Sequence, residues 1–294
     1  MSGKVFEIDL AAVRRSFDRA ARGYDEAAVL QAEVRARLLE RLDYVNLEPE
    51  VILDVGCGTG HSSRALKDRF PDARVIALDL AEGMLAEAAK RQSWRRRFAR
   101  VCGDVMRLPL ADASIDLAFS NLTLQWCPDP DVAFAELRRV LRPRGLLNFT
   151  TFGPDTLIEL REAWAQADRH PHVSRFADMH ELGDGLVRTG LAEPVMDVER
   201  FTLTYPDVFG LMRDLKAIGA HNAAARRPRG LTGRGRLRAM QAAYEGRRRD
   251  GVLPATYEVV FGQAWGPAGK PARGRRSGEF SIAPDAIGRM KPGD

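Results

Sequence analysis

Val-Ile-Leu-Asp-Val-Gly-Cys-Gly-Thr-Gly, residues 51–60, decides the fold. Val51 to Leu53 with Val55 form a short apolar run of the kind that becomes a buried strand. Gly56, Gly58 and Gly60 then end it in a tight turn before an amphipathic helix begins. Strand, glycine turn and helix make a binding unit for nucleotide-type ligands, because glycine admits conformations closed to other residues and the helix N-terminus faces the ligand. The third glycine comes one place too early for Gly-x-Gly-x-x-Gly, since His61 stands where a dinucleotide fold would need it.

Outward from this turn the chain alternates between strand and helix. Ser62 to Phe70 reads as a helix, Arg74 to Asp79 as a second buried strand, residues 98–102 as a third and Ile115 to Ser120 as a fourth. A helix from about Asp131 to Leu141 leads through Pro143 and Gly145 into a fifth strand, Leu146 to Phe152. Five strand–helix units wind by right-handed crossovers into one parallel sheet. Two last strands, near 195–204 and 255–264, complete the expected class: α/β, doubly wound, with a mostly parallel seven-stranded sheet. Asp79 ends the second strand, where an acid can accept both hydroxyls of a ribose.

Ahead of this core (51–152), Leu10, Val13 and Phe17 and then Val29, Val34, Leu38, Leu39 and Leu42 recur at helical spacing. They predict an N-terminal lid over 9–43, broken near Gly23. Behind it, helical patterns near 155–168, 178–189, 207–220 and 232–249 predict a mostly helical cap over 153–253. The organisation expected is one domain over 1–265 and a basic tail, 266–294, rich in Gly, Pro and Arg and loosely ordered.

With 45% hydrophobic and 29% charged residues, the composition is that of an ordinary globular protein. No apolar run approaches a membrane span, and an N-terminus carrying Glu7 and Asp9 is not a signal peptide, so a cytoplasmic protein is expected. Cys57, Cys102 and Cys127 have neither zinc spacing nor an even count, and read as reduced thiols. His172, His180 and His221 lack metal-ligand spacing and read as pocket polar groups or loop residues, with no metal expected. The net charge is +5, but arginines cluster at 95–100, 226–238 and 247–249. Such runs are either solvated faces or a surface for an acidic macromolecule; without interleaved aromatics they do not suggest nucleic acid.

Asp54 and the Gly-x-Gly-x-Gly turn resemble motif I of class I S-adenosylmethionine methyltransferases. Further blocks narrow the resemblance: Ser-Phe-Asp-Arg-Ala-Ala-Arg-Gly-Tyr-Asp (16–25), Asn-Leu-Thr-Leu-Gln-Trp-Cys (121–127), His172 to Phe176 and Pro-Ala-Thr-Tyr-Glu (254–258). Together they resemble the malonyl-acyl-carrier-protein O-methyltransferases of biotin synthesis, up to about Trp265. The layout is also similar to a methyltransferase-like assembly factor of mitochondrial complex I, and a small-molecule, quinone-type methyltransferase is the remaining alternative.

The first resemblance implies methyl transfer from S-adenosylmethionine to the free carboxylate of malonyl-acyl-carrier protein or malonyl-coenzyme A. It implies a cofactor set of Gln31, Asp54, Gly56, Gly58, Gly60, Asp79, Leu80, Met84, Asp104, Val105, Asn121 and Leu122, with Asp104 meeting the adenine amino group. Met84 and Met179 also read as core fillers at apolar helix positions. A carboxylate is already ionised at neutral pH, so the chemistry needs no general base but a dry pocket and a cation to orient the acceptor. Tyr24, Gln31, Trp126, Phe152 and Trp164 are the expected walls; Arg175, then Lys216 and Arg161, the expected anchor. An acidic carrier would dock on the arginine-rich cap, by preference at 226–238.

Overall fold

The structure, a computed structural model, describes residues 8–220 and 233–268. Among them seven strands form one sheet: β1 (Val51–Val55), β2 (Arg74–Asp79), β3 (Ala99–Cys102), β4 (Ile115–Ser120), β5 (Leu141–Phe152), β6 (Ala192–Tyr205) and β7 (Leu253–Trp265). Their order is β3-β2-β1-β4-β5-β7-β6, parallel throughout except for β7, which runs antiparallel to both β5 and β6. The chain winds one way from β1 to β3, then returns to lay β4 on the other side of β1. Such a reversal opens a crevice at the carboxyl ends of the strands, the place where this architecture binds ligands.

The central strand explains why its sequence is a plain apolar run. Ile52, Leu53 and Val55 are all 0% exposed, because successive side chains point to opposite faces and both faces are covered. On one face, Ile52 joins Leu117 and Phe119 in a core with Leu30, Val34 and Leu38 of α3 (Val29–Glu40) and Leu66 of α4 (His61–Arg69). On the other, Leu53, Ala118 and Phe149 pack with Phe134 and Leu137 of α6 (Pro130–Val140) and Leu186 of α8 (Met179–Arg188).

The expected alternation fails in one place. No helix joins β3 to β4; residues 103–114 make only turns, as Gly103, Asp104, Pro109 and Asp112 favour. The five strand–helix units are therefore four. Strand β5 starts five residues earlier than the apolar run suggests, because Leu141 pairs with Ile115 before the register shifts at a bulge. The lid is α1 (Leu10–Ala20), a 3-10 turn (Ala21–Gly23), a single-turn α2 (Tyr24–Ala27) and α3, and so bends more than once where a single break was expected. The cap carries α7 (Ile158–Ala167), α8, α9 (Val208–Ala217) and α10 (Arg234–Glu245), with α5 (Glu82–Lys90) following β2 in the core. The tail from 269, His221 and the 226–229 arginines lie outside the described residues.

Gly262 of β7 pairs with Phe149 of β5, and a Cβ there would stand 2.2 Å from the Phe149 ring. Gly262→Ala is expected to destabilise the fold by about 1–3 kcal/mol through overpacking. A lower guanidinium midpoint with unchanged slope would show it.

Candidate active site

The glycine turn sits at the carboxyl end of β1, between β2 and β4, and its glycines have different reasons. Gly56 has φ +66°, and a Cβ on it would lie 2.1 Å from Thr123 Oγ1. Gly58 has φ +54°, a Cβ on it would meet no atom within 4 Å, and it lines the cavity above the sheet. One is needed by the protein's own packing, the other keeps the wall open to a ligand.

Asp79, at the end of β2, fixes this turn. Its Oδ2 accepts from the Gly58 N–H at 2.8 Å and its Oδ1 from the Ala81 N–H at 2.8 Å. Burial pushes its carboxyl up to about 6, against the pull of those amides. Leu80 and Met84 follow in the cavity wall; Gly103, Asp104 and Val105 close the next edge, with the Asp104 side chain accepting from the Met106 N–H at 2.9 Å.

The third side comes from the residues after β4. Asn121 donates from Nδ2 to the Gln31 carbonyl at 3.1 Å and accepts at Oδ1 from Thr150 Oγ1 at 3.0 Å, so it ties the lid to the sheet. Leu122 takes φ +48°, an uncommon backbone for a non-glycine residue, held by bonds from its N–H to Thr150. Gln125 donates to the Leu122 carbonyl at 2.6 Å.

The lid closes from above. Asp25 accepts from Thr59 Oγ1 at 2.6 Å and pairs with Arg91, clamping α2 onto the glycine turn, while the Gly83 N–H donates to Asp18 at 2.8 Å. Phe17 meets Trp126 edge to face at 5.4 Å and Tyr24 at 6.5 Å. Burial, then the neighbouring carboxylates of Asp79 and Asp25, push the Tyr24 phenol well above its usual value, so it keeps its proton.

Two compartments result. The larger is mainly apolar, with Phe17, Trp126, Phe152, Phe176 and Tyr257 among its walls. The smaller, beside the turn, is about half polar and includes Gln31, Arg35, Thr59, His61 and Asn121. Arg35 makes no hydrogen bond or ion pair among the described residues, and burial lowers its pKa against the pull of Asp25 and Asp54. The buried Gln31 Oε1 also has no partner. An unpaired guanidinium and an unpaired acceptor in one recess fit the carboxylate and ammonium of an amino-acid group. Arg35 was not among the residues singled out from the sequence. Its signal was the four-residue spacing from Gln31, which puts both on one face of α3.

The expected site residues therefore separate. Tyr24, Gln31, Gly56, Gly58, Asp79, Leu80, Met84, Asp104, Val105, Asn121 and Leu122 converge on the cavities. Asp54 and Gly60 stand behind the turn. Asp54 is 1% exposed, accepts from Ser63 Oγ and is pushed up to about 7 by burial, while a Cβ on Gly60 would meet Ala88 at 2.8 Å. The three expected cations line neither compartment. Arg175 and Lys216 are exposed, and Arg161 donates to the Thr156 carbonyl at 2.8 Å. His172 does line the larger cavity, its ring stacked on Trp164 at 3.7 Å.

A doubly wound sheet with a nucleotide-type cavity at its point of reversal defines a class, and residues 53–149 match the methyltransferase domain family. The protein is an enzyme of that class. The fold is shared with phosphoethanolamine N-methyltransferase 2 of Haemonchus contortus solved with S-adenosyl-L-methionine, at TM-score 0.53 and 17% identity over 85% of this chain and 57% of that one. The chain is 59% identical to the malonyl-[acyl-carrier protein] O-methyltransferase of Methylovorus sp. over 92% of its own length and 94% of the relative's. It is 54% identical to that of Gallionella capsiferriformans over 90% and 93%. The chain belongs to the malonyl-[acyl-carrier protein] O-methyltransferase family.

Because Asp54 and Asp79 sit above the usual carboxylate range, the folded chain keeps protons between about pH 4 and about pH 7 that the unfolded chain has released. Their contribution to stability falls as pH rises through that window. Urea melts of the unliganded protein should give an unfolding free energy that declines from about pH 5 to about pH 7.5, and the decline should shrink in Asp54→Asn.

Proposed function

We propose that this enzyme transfers the methyl group of S-adenosylmethionine to the free carboxylate of a malonyl thioester on an acyl-carrier protein. The observation that carries the reading is the 59% identity to a malonyl-[acyl-carrier protein] O-methyltransferase over 92% of the chain. Neither alternative, a complex I assembly factor or a quinone-type methyltransferase, is favoured by such relatives.

The residues fit the methyl donor along its length. Asp79 would take the ribose hydroxyls with its remaining lone pairs, and Asp104, Val105, Leu80, Met84 and Leu122, which line the same cavity, would hold the adenine. Gly56, Gly58, Gln31 and Asn121 would hold the amino-acid end, with Arg35 as the partner for its carboxylate. Asp54 and Gly60 hold the turn from behind. When bound, the donor supplies a methyl carried on a cationic sulfur, with no acid or base needed for its release.

The chain's own work is to position the acceptor and exclude water. A carboxylate is ionised at neutral pH, and the Tyr24 phenol, held protonated, orients rather than deprotonates. Water opposes a transfer that cancels two opposite charges, so walls such as Phe17, Trp126 and Phe152 favour it by excluding solvent from the reacting atoms. Lid 9–43, core 51–152 and cap 153–253 act as one domain in this closure.

The exposed Arg234, Arg236 and Arg238 of α10, with Arg175 and Lys216, supply a basic rim for the acidic carrier; the 226–229 part of that cluster lies outside the described residues. No helix among the described residues is long and apolar enough to cross a membrane. A substrate carried on an acyl-carrier protein supports the reading of a cytoplasmic enzyme.

With methyl-labelled S-adenosylmethionine, malonyl-carrier protein should gain a base-labile methyl ester and acetyl-carrier protein none. Base-stable label, or equal labelling of the acetyl form, would overturn the reading. Arg35→Ala should weaken S-adenosylhomocysteine binding about 10- to 100-fold in calorimetry, the worth of a charged hydrogen-bonded pair. Methylthioadenosine, which lacks the amino-acid end, should bind as before.

A further inference from the structure

The larger cavity contains one polar group that the malonyl reading leaves without a role. His172 lies in its wall, in the segment between α7 and α8, with a side chain only 14% exposed. Its Nε2 stands 2.9 and 3.0 Å from the two oxygens of Asp168, and its ring lies nearly parallel to Trp164, 12° between planes. Both contacts fix the ring in one orientation.

We propose that His172, protonated and held by Asp168, is the cation that seats the acceptor carboxylate in the cavity. This rests on the malonyl reading and specifies its substrate subsite. An anionic acyl group entering an apolar cavity needs a charged partner there. Among the described residues lining the larger cavity there is no lysine or arginine, and His172 is the residue that can become cationic. Asp168 is suited to hold that cation. Burial pulls its carboxyl up, but the bonds from His172 and the His170 N–H hold it below its usual value, so it stays ionised. Arg236 reaches the same carboxylate from α10 at 3.7 Å, and His170 is the other titratable neighbour.

An imidazolium has two N–H donors. With Nε2 given to Asp168, Nδ1 is left for a single acyl oxygen. That arrangement suits the chemistry better than an arginine fork, which would engage both oxygens and blunt the nucleophile. In the transfer the carbon–sulfur bond breaks as the oxygen–carbon bond forms, the sulfonium and carboxylate charges cancel, and His172 keeps its proton. The ester product is neutral and loses the ion pair that held the acid. The same residue therefore favours substrate entry and product release.

The test uses malonyl-pantetheine as substrate and its neutral monoamide as competitive inhibitor. In His172→Gln the KM for malonyl-pantetheine should rise about tenfold or more. Inhibition by the amide and calorimetric binding of S-adenosylhomocysteine should stay unchanged, while His172→Arg restores preference for the acid over the amide. Asp168→Asn, which leaves the Trp164 stack in place, should show the same charge-selective loss and guards against a folding defect in the first variant. An unchanged KM, or equal losses for acid and amide, would overturn the inference alone, with wild-type ester formation intact. A wild-type enzyme that forms no malonyl ester would overturn the malonyl reading, and this inference with it.

Discussion

A single carboxylate organises the site. Asp79 accepts from the Gly58 N–H on one side and the Ala81 N–H on the other, so the end of β2 and the turn after β1 cannot shift independently. The parallel register delivers it there: Val55 pairs with Leu78, and the Cys57 N–H continues the ladder to the Leu78 carbonyl at 2.9 Å. An ionised carboxylate in that place is costly, which its raised pKa records. The cost is tolerated because the two amides are satisfied and the remaining lone pairs face the cavity. The lid's Asp25, bound to Thr59 and Arg91, holds the same turn from the opposite side.

The cap is held as firmly at its base. Glu258 of β7, 9% exposed, accepts from the Asp155 N–H at 2.7 Å, and its carbonyl accepts from Thr156 Oγ1 at 2.9 Å. Glu159 of α7 accepts from the Thr256 N–H at 3.0 Å. These bonds orient α7, and α7 presents Trp164 to His172. Cap geometry is thus inherited from the antiparallel β5–β7 pair, so the cavity wall that carries His172 is built on the sheet even though His172 itself lies in a loop.

The two compartments differ in polarity. A recess with Arg35 and Gln31 suits a zwitterion, and an apolar chamber suits a reaction that cancels charge. Asn121 joins them, bonded at once to the lid and to β5. The lid is thus bonded to the residue that precedes Leu122, whose left-handed backbone lies in the wall of the larger cavity.

Much of this was legible in the amino-acid sequence, because it depends on neighbours in the chain. Apolar runs marked the strands, the spacing of Gly56, Gly58 and Gly60 excluded a dinucleotide turn, and an acid ending the second strand marked Asp79. The alternation itself misled in one place: it reads as five strand–helix units, yet residues 103–114, with Gly103, Asp104 and Pro109, cross to β4 without a helix. What only the tertiary structure decided is which charges reach the cavity. Arg175, Arg161 and Lys216 carry the charge that the chemistry calls for, but their exposure and hydrogen bonds follow from how the cap packs. Arg35 and His172 hold the unpaired or oriented positions instead. Residue type and short-range partners such as Asp168 and His172 are set locally, while access to the cavity is set by how lid, sheet and cap pack together, which no local pattern encodes.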